Sequence, residues 1–293
     1  MTDEDIRRPA SPLLEIHGAV LLFGLAGLFG KWLAVSPLII VLGRVVFASL
    51  ALGAVRFARK RPSRPGPASD RWLFLGLGIL LASHWTLFFL SVQVSTVAVG
   101  LLSYSVFPVF TALLEPVLSR KRLDPVALVF SGFCLLGVYL IVPRFAWNDG
   151  MFRGVLLGMG AGLTFAVLSI FNRKLTARYD SMTIAFRQDT AAALVLGPAL
   201  LFVRPELSAG DIGLLALLGI VCTAGAHTLF IDGLRMIPAQ TASIIASLEP
   251  VYGIALALAF LGEIPSFRII LGGTVILAAA MAISLRPMRP ALD

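Results

Sequence analysis

Charge is what this sequence is shortest of: Asp, Glu, Lys and Arg make up 14% of its 293 residues, where a soluble domain carries about a quarter. With 58% hydrophobic residues beside that shortage, a water-soluble globule is excluded. Cysteine is nearly absent. The two present, Cys134 and Cys222, each lie inside an apolar segment, which leaves no disulfide framework and no CxxC or Cys/His spacing for a metal. Both read as packing residues. Histidine is limited to His17, His84 and His227, and there is no HExxH, no GxSxG and no pair of acids close together in midspan, so an intramembrane enzyme is the weakest functional reading. Nucleotide loops are missing too, since neither GxxxxGK(S/T) nor a strand-to-helix GxGxxG occurs. No cofactor and no metal is expected. The net charge of +8 is spread over loops between apolar runs rather than gathered into an aromatic-interleaved patch, which argues against a nucleic-acid partner.

What is there is apolar length. At about 20 residues per crossing the chain supplies about ten spans, and breaks at Pro, Gly and charge clusters place them at residues 13–33, 37–57, 71–90, 94–117, 125–143, 152–172, 181–203, 211–233, 239–261 and 266–285. The expected fold is an all-α polytopic membrane protein of ten transmembrane helices. The polar start, MTDEDIRRPASP, is unlike a signal-peptide n-region, so the first apolar run is expected to stay in the mature protein. With both termini cytoplasmic, 17 Lys and Arg fall on the inner side and five on the outer, Arg44 and Arg187 remaining within spans. That bias fixes the orientation. The loop Arg56 to Arg71, with three prolines and six basic residues, reads as an orientation and lipid-headgroup contact.

Sliding the chain by 142 residues aligns TLFFLSVQVSTVAVGLLSYSVFPVF (Thr86 to Phe110) with TLFIDGLRMIPAQTASIIASLEPVY (Thr228 to Tyr252) without a gap, matching Ser105 to Ser247 and Pro108 to Pro250. A shift of 143 brings Arg44 onto Arg187 and Lys31 onto Lys174. Two five-helix repeats are expected, residues 1–145 and 146–293. Because five is odd, the second enters the membrane from the opposite face, giving inverted repeats about a central cavity. Such halves can exchange conformations, so a central site opens to either side in turn. The plainer alternative is a duplicated unit that merely builds a stable bundle.

The stretch GLLSYSVFPVFTALLEPVLSRKRLDPVALVFSGFCLLGVYLIV and its second copy ASIIASLEPVYGIALALAFLGEIPSFRIILGGTVILAAAMAI resemble the EamA-type repeat of the drug/metabolite transporter superfamily. Within it the chain is similar to bacterial inner-membrane amino-acid exporters, aromatic amino-acid exporters of the YddG type above all. The resemblance implies that helices 1 to 4 and 6 to 9 enclose the cavity and that helices 5 and 10 pack outside it. One departure stands out. Leu261, Gly262 and Glu263 at the end of helix 9 become Ser119, Arg120 and Lys121 in the first copy, so a role for a helix-end acid can apply only to Glu263.

Polar groups at bilayer depth cost several kcal/mol unless they face protein or water, so Arg44, His84, Arg187, Asp189, His227 and Glu249 are the site candidates. Arg44 and Arg187 stand about 10 Å from opposite ends of their helices, suited either to attracting a solute carboxylate at each mouth or to snorkelling toward headgroups. With Asp189 they form a set of charged gate candidates, although Arg187 and Asp189 lie about 200° apart on one helix and are not expected to pair. Glu249 precedes Pro250, whose missing N–H frees a carbonyl near Ala246, and Pro108 repeats this with Tyr104 a turn earlier. These prolines are candidate hinges. Glu249 reads as an ammonium partner, a proton-coupled group or a helix-packing hydrogen bond. His84 shares a face with Phe88 and Ser91 while Trp85 points about 100° away, which suits an aromatic solute or a histidine bonded to a neighbouring helix. His227 and Tyr252 complete the binding set. The glycine series Gly24, Gly27 and Gly30, and Gly154, Gly158 and Gly162, predict close helix approach.

The expected function is a secondary transporter in the bacterial inner membrane that exports amino acids, aromatic ones included, and related small metabolites by alternating access, with no ATP and no obligate protein partner. The cavity is expected among helices 1, 3, 4, 6, 8 and 9. The short connections between helices 1 and 2 and helices 3 and 4 form the outer gate, and their inverted counterparts the inner one. The alternative is a proton-coupled exporter of lipophilic drugs, which usually needs an acid at the heart of helix 1, where only Glu15, near its inner end, is available.

Overall fold

The computed structural model describes residues 12–59, 67, 69–118, 125–236 and 245–285. Among these the chain is helical with short connections and contains no strand. The helices are α1 (Pro12–Trp32), α2 (Pro37–Ala58), α3 (Ser69–Val94), α4 (Val97–Tyr104), α5 (Phe107–Leu118), α6 (Pro125–Ile141), α7 (Gly150–Leu175), α8 (Ser181–Leu196), α9 (Ala209–Gly219), α10 (Ala226–Met236), α11 (Glu249–Leu261) and α12 (Phe267–Ser284). Six helical stretches are long and apolar enough to cross a bilayer, Leu13–Trp32, Pro37–Ala58, Ser69–Val94, Val97–Leu118, Gly150–Leu175 and Ala209–Gly233, and three shorter apolar helices cover Leu128–Ile141, Glu249–Leu261 and Phe267–Ala282.

Local chemistry sets the boundaries. Thr96 accepts the Val99 N–H, Asp149 those of Met151 and Phe152, and Asp180 that of Thr183, so α4, α7 and α8 each begin on a side-chain oxygen that satisfies an orphan donor. Ser208 and Asp211 form a capping box ahead of α9. The third and sixth expected spans run longer than expected, to Val94 and Leu175. The fourth begins only at Val97, because Thr96 is its cap.

Four expected spans, the fourth, seventh, eighth and ninth, are not single regular helices. The fourth breaks at Ser105 and Val106, between α4 and α5. The seventh continues from α8 as a 3₁₀ turn, Gly197–Leu201, and the eighth passes through a π-helical stretch, Ile220–Gly225, between α9 and α10. Ahead of α11 the chain turns at Ser247 and Leu248. Those two residues lie 142 positions after Ser105 and Val106. Each break falls two to three residues before a proline. Glu249 therefore opens a helix instead of standing in the middle of a continuous one.

Packing is reciprocal between the halves. α3 lies along α7 and α8, while α1 lies along α10 and α11 and α2 along α8, α9 and the π stretch; α4 and α5 pack on α7, and α6 pairs with α12. Close approach is set by small residues. A Cβ on Gly158 would meet Ser103 Cβ at 2.6 Å and one on Gly162 the Tyr104 carbonyl at 2.7 Å; on α1, Gly30 would meet Val92 Cγ1 at 2.9 Å, whereas Gly27 has ordinary contacts from 3.5 Å. Gly78 abuts Ala191 and Ala192, and Gly219 abuts Phe47 and Ala48, contacts that interchange under the repeat shift to within one residue. α6 and α12 meet through Gly137 and Gly272 and form a second apolar cluster with Leu102, Val109, Cys134 and Ile276, apart from the main core. Both cysteines are buried and free.

Gly24→Ala would put a methyl 2.9 Å from Gly253 N and 3.0 Å from Glu249 O, and is expected to destabilise by about 1–3 kcal/mol. Gly18→Ala meets nothing within 4 Å and should be neutral or stabilising by up to about 1 kcal/mol. Thermal unfolding in detergent compares the two.

Candidate functional site

Of the intramembrane polar residues, His84, Asp189, His227 and Glu249 stand within the field of Arg44. This arginine is 2% exposed and does not snorkel. Its guanidinium lies over the Trp85 ring, 3.8 Å from the centroid, and its Nε donates to Thr223 Oγ1 at 2.9 Å. Thr223 sits in the π stretch and donates in turn to Leu218 O, five residues back, at 2.8 Å. The widened π turn thus supplies an acceptor at the depth of Arg44, as π insertions often do at functional sites. No described residue bonds the terminal guanidinium nitrogens, and the ion pair formed among the described residues is Arg173 with Glu115, at 3.5 Å near the surface.

Four further groups share this region. His84, Tyr104, His227 and Glu249 are 5%, 4%, 8% and 6% exposed. Arg44 is within electrostatic reach of His84, Asp189, His227 and Glu249, and Glu249 of Tyr104. His84 Nδ1 lies 2.9 Å from Ala161 O; a carbonyl only accepts, so Nδ1 carries the hydrogen and Nε2 remains available. Trp85, expected to point away, is buried and stands 6.3 Å from the His227 ring. No described residue bonds the Glu249 carboxylate or the Tyr104 hydroxyl.

Aromatic rings enclose the group. Phe165 is 5.2 Å from His84, 5.4 Å from Tyr104 and 5.0 Å from Phe107, while Tyr104 stacks on Phe107 at 5.4 Å and meets Phe88 at 6.0 Å. Phe230 joins Phe165 to Phe23 of α1. The two helix breaks border this region. Pro108 has no N–H to return to the Tyr104 carbonyl, nor Pro250 to that of Ala246, and Gly162 packs directly on the former.

Tyr252 and Arg187 lie elsewhere, while Asp189 stands within the field of Arg44 without bonding it. The Tyr252 hydroxyl is engaged by His17 Nδ1 at 3.2 Å. Arg187 is half-buried over the rings of Tyr179 and Phe74, at 4.9 and 5.1 Å, beside the Tyr179 hydroxyl that donates to Asp70 at 2.6 Å. Asp189 is fully buried, and neither of its oxygens has a hydrogen-bond partner among the described residues.

Both ends of the bundle are tied. At one end Lys31 Nζ donates to Ser95 O at 2.7 Å and Gln93 to Val35 O at 2.9 Å, joining the α1–α2 and α3–α4 connections. Gly262, left-handed at φ 67°, ends α11 and turns Glu263 onto the first N–H of α4, Val97 N, at 3.0 Å. This gives the Leu-Gly-Glu departure a structural role; Ser119, Arg120 and Lys121 lie outside the described residues. At the other end Arg56 bonds Thr183 and Ser181 bonds Asp232, beside the Tyr179–Asp70 pair.

The EamA-like transporter family model matches residues 11–142 and again 152–285. The chain belongs to that family and is a membrane transporter. It is 26% identical over 95% of its length to an uncharacterized transporter, YxxF, of Bacillus subtilis, covering 91% of that protein. It is 31% identical to a probable biotin transporter of Pseudomonas aeruginosa, over 86% of this chain and 90% of that one. With the threonine/homoserine exporter RhtA of Salmonella typhimurium it shares 28% identity over 80% of this chain and 79% of that one. A solved crystal structure shares the fold, with a TM-score of 0.68 at 19% identity over 94% of this chain and 99% of the other.

Thr223, Phe107, Phe165 and Phe230 were missed by the sequence reading. Their types carry no signal in an apolar helix, and no residue pattern announces a π turn. Thr223→Val would strip Arg44 Nε of its acceptor and is expected to destabilise by about 1–3 kcal/mol. Glu263→Ala would uncap α4, at about 0.5–2 kcal/mol. Denaturation of each purified variant checks both values.

Proposed function

We propose that this transporter exports amino acids, aromatic ones included, across the bacterial inner membrane. The observation that carries this is the pairing left unmade at the centre: Arg44 and Glu249 are buried within each other's field, yet no described residue bonds the guanidinium terminus or the carboxylate. A buried charge without a partner costs several kcal/mol, and a zwitterion supplies both partners at once. Its carboxylate meets Arg44 bidentately and its ammonium meets Glu249. Phe88, Tyr104, Phe107 and Phe165 provide ring faces for an apolar or aromatic side chain, and His84 Nε2 an acceptor. The similarity to a threonine/homoserine exporter supports the same class.

The mechanism follows from symmetry. Ten helices form two inverted five-helix repeats, residues 1–145 and 146–293, with both termini cytoplasmic. The reciprocal packing and the matched breaks support this arrangement. Bending at the breaks before Pro108 and Pro250 alternates access. The Lys31–Ser95 and Gln93–Val35 ties close the outer side, and the Tyr179–Asp70 and Ser181–Asp232 ties close the inner one. Arg187, beside Tyr179, guards the inner mouth. No obligate protein partner is required beyond the bilayer.

The similarity to a probable biotin transporter favours a second reading, a carboxylate solute lacking an ammonium. Proteoliposomes loaded with threonine, homoserine, phenylalanine or biotin separate the two. Amino-acid flux is expected to fall about 10-fold or more in Glu249→Gln, the loss of about 1.4 kcal/mol or more of binding, and to fall in His84→Ala and Tyr104→Ala, with folded yield intact. Flux of biotin alone, unaffected by Glu249→Gln, overturns the amino-acid reading.

A further inference from the structure

Asp189 is left over once the zwitterion is placed. Arg44 is shared by two buried acids, Asp189 and Glu249; a zwitterion adds no net charge, and with its ammonium on Glu249 and its carboxylate on Arg44, Asp189 is the acid left without a base. It is 0% exposed, about 12 Å along α8 from Ser181 at 1.5 Å per residue, and both carboxylate oxygens lack a hydrogen-bond partner among the described residues. A bare carboxylate in that setting is costly.

The neighbours do not supply its counter-charge. From α2, Arg56 is bound to Thr183, and Arg44 reaches Asp189 through its field but makes no hydrogen bond to it, its own contacts being Trp85 and Thr223. From α3, Asp70 is held by Tyr179, Arg71 is exposed, and His84 is bonded to Ala161 O. From α10, Asp232 bonds Ser181 and His227 faces Trp85. On α8 itself Arg187 lies over Phe74 and Tyr179. A metal ion fits poorly. The flanking oxygens Gln188 Oε1 and Thr190 Oγ1 are also buried and unbonded, but successive residues of a helix point about 100° apart, so they cannot converge with Asp189 on one hard cation needing about six oxygens.

We infer that Asp189 is the proton-binding site that couples export to the proton gradient. Its carboxyl takes up a proton when the packing of α8 opens to the outer side and releases it to water when that packing opens inward. One proton moves in for each zwitterion moved out, with no other group consumed. The assignment of an outward-moving zwitterion rests on the amino-acid reading above; the proton site itself is read without it.

Two measurements test the inference. In lipid without solute, the infrared spectrum of the wild type at neutral pH should contain the carbonyl band of a protonated carboxyl that shifts on labelling with ¹³C-aspartate and is missing in Asp189→Asn. The labelling experiment needs no variant to fold. In proteoliposomes, a one-unit pH gradient should drive the wild type to accumulate labelled amino acid up to about 10-fold, while Asp189→Asn should only equilibrate it yet keep full counterflow. A wild type with no ¹³C-sensitive band, accumulation driven by a sodium gradient instead, Asp189→Asn accumulating like the wild type, or Asp189→Asn losing counterflow together with accumulation each overturns the proton site. Wild-type protein that has the band but moves no amino acid overturns the solute reading and leaves the proton site standing.

Discussion

An arginine at bilayer depth must be solvated by protein, and the middle of this molecule is organised around that demand. Arg44 is met in two ways, by the face of Trp85 and by the hydroxyl of Thr223. A ring face attracts the cation without neutralising it, and a hydroxyl takes one of five donors. The charge is thus accommodated but not cancelled, which a lysine could not match with its compact, strongly hydrated head. The π turn that presents Thr223 belongs to the same accommodation, since it is where the eighth span gives up regular α geometry beside Arg44.

Much of the scaffold could be read from the residues. The glycine series on α1 and α7 marked surfaces where backbone meets backbone, and Pro108 and Pro250 marked the two breaks, although the turns fall two to three residues earlier than the prolines themselves. Pro removes a hydrogen bond one turn back, so sequence locates the fault to within a turn and packing decides where it opens. The gathering of Arg44, His84, His227 and Glu249 followed from the cost of polar groups in an apolar chain. Which aromatic rings surround them did not: the sequence has 20 phenylalanines, and only tertiary packing distinguishes Phe165 in the centre from Phe133 on an exposed face. Of the two options for Arg44, burial excludes snorkelling, and its partners, from α3 and the π stretch, lie too far apart in sequence to be read from it.

The halves share a packing plan and differ in chemistry. Arg44 and Arg187 occupy equivalent positions, yet the first is buried against Trp85 and the second is half-buried against Tyr179 and Phe74. Trp85 corresponds to His227 in the second copy, so the ring beneath Arg44 has no counterpart for Arg187. Glu263, absent from the first copy, caps a helix of that copy. Divergence at these few positions gives the centre a single polarity, with its cation from the first half and both acids, Asp189 and Glu249, from the second.

That division of charge bears on how such a site can move. If cation and acids sat on one half, a solute bridging them would bind equally well however the halves were arranged, and binding would not be linked to opening. With Arg44 on α2 and Glu249 on α11, a zwitterion that touches both spans the two halves, and its binding energy depends on their relative position. A ligand shifts a conformational equilibrium only through such a difference in affinity. The break before Pro250 adds to this, because Glu249 opens the helix that follows it: a rotation at Ser247 and Leu248 moves the carboxylate while Arg44 stays fixed by Trp85 and Thr223. On the proposed amino-acid reading, the distance between the two charges is the coordinate that joins solute binding to the exchange of access.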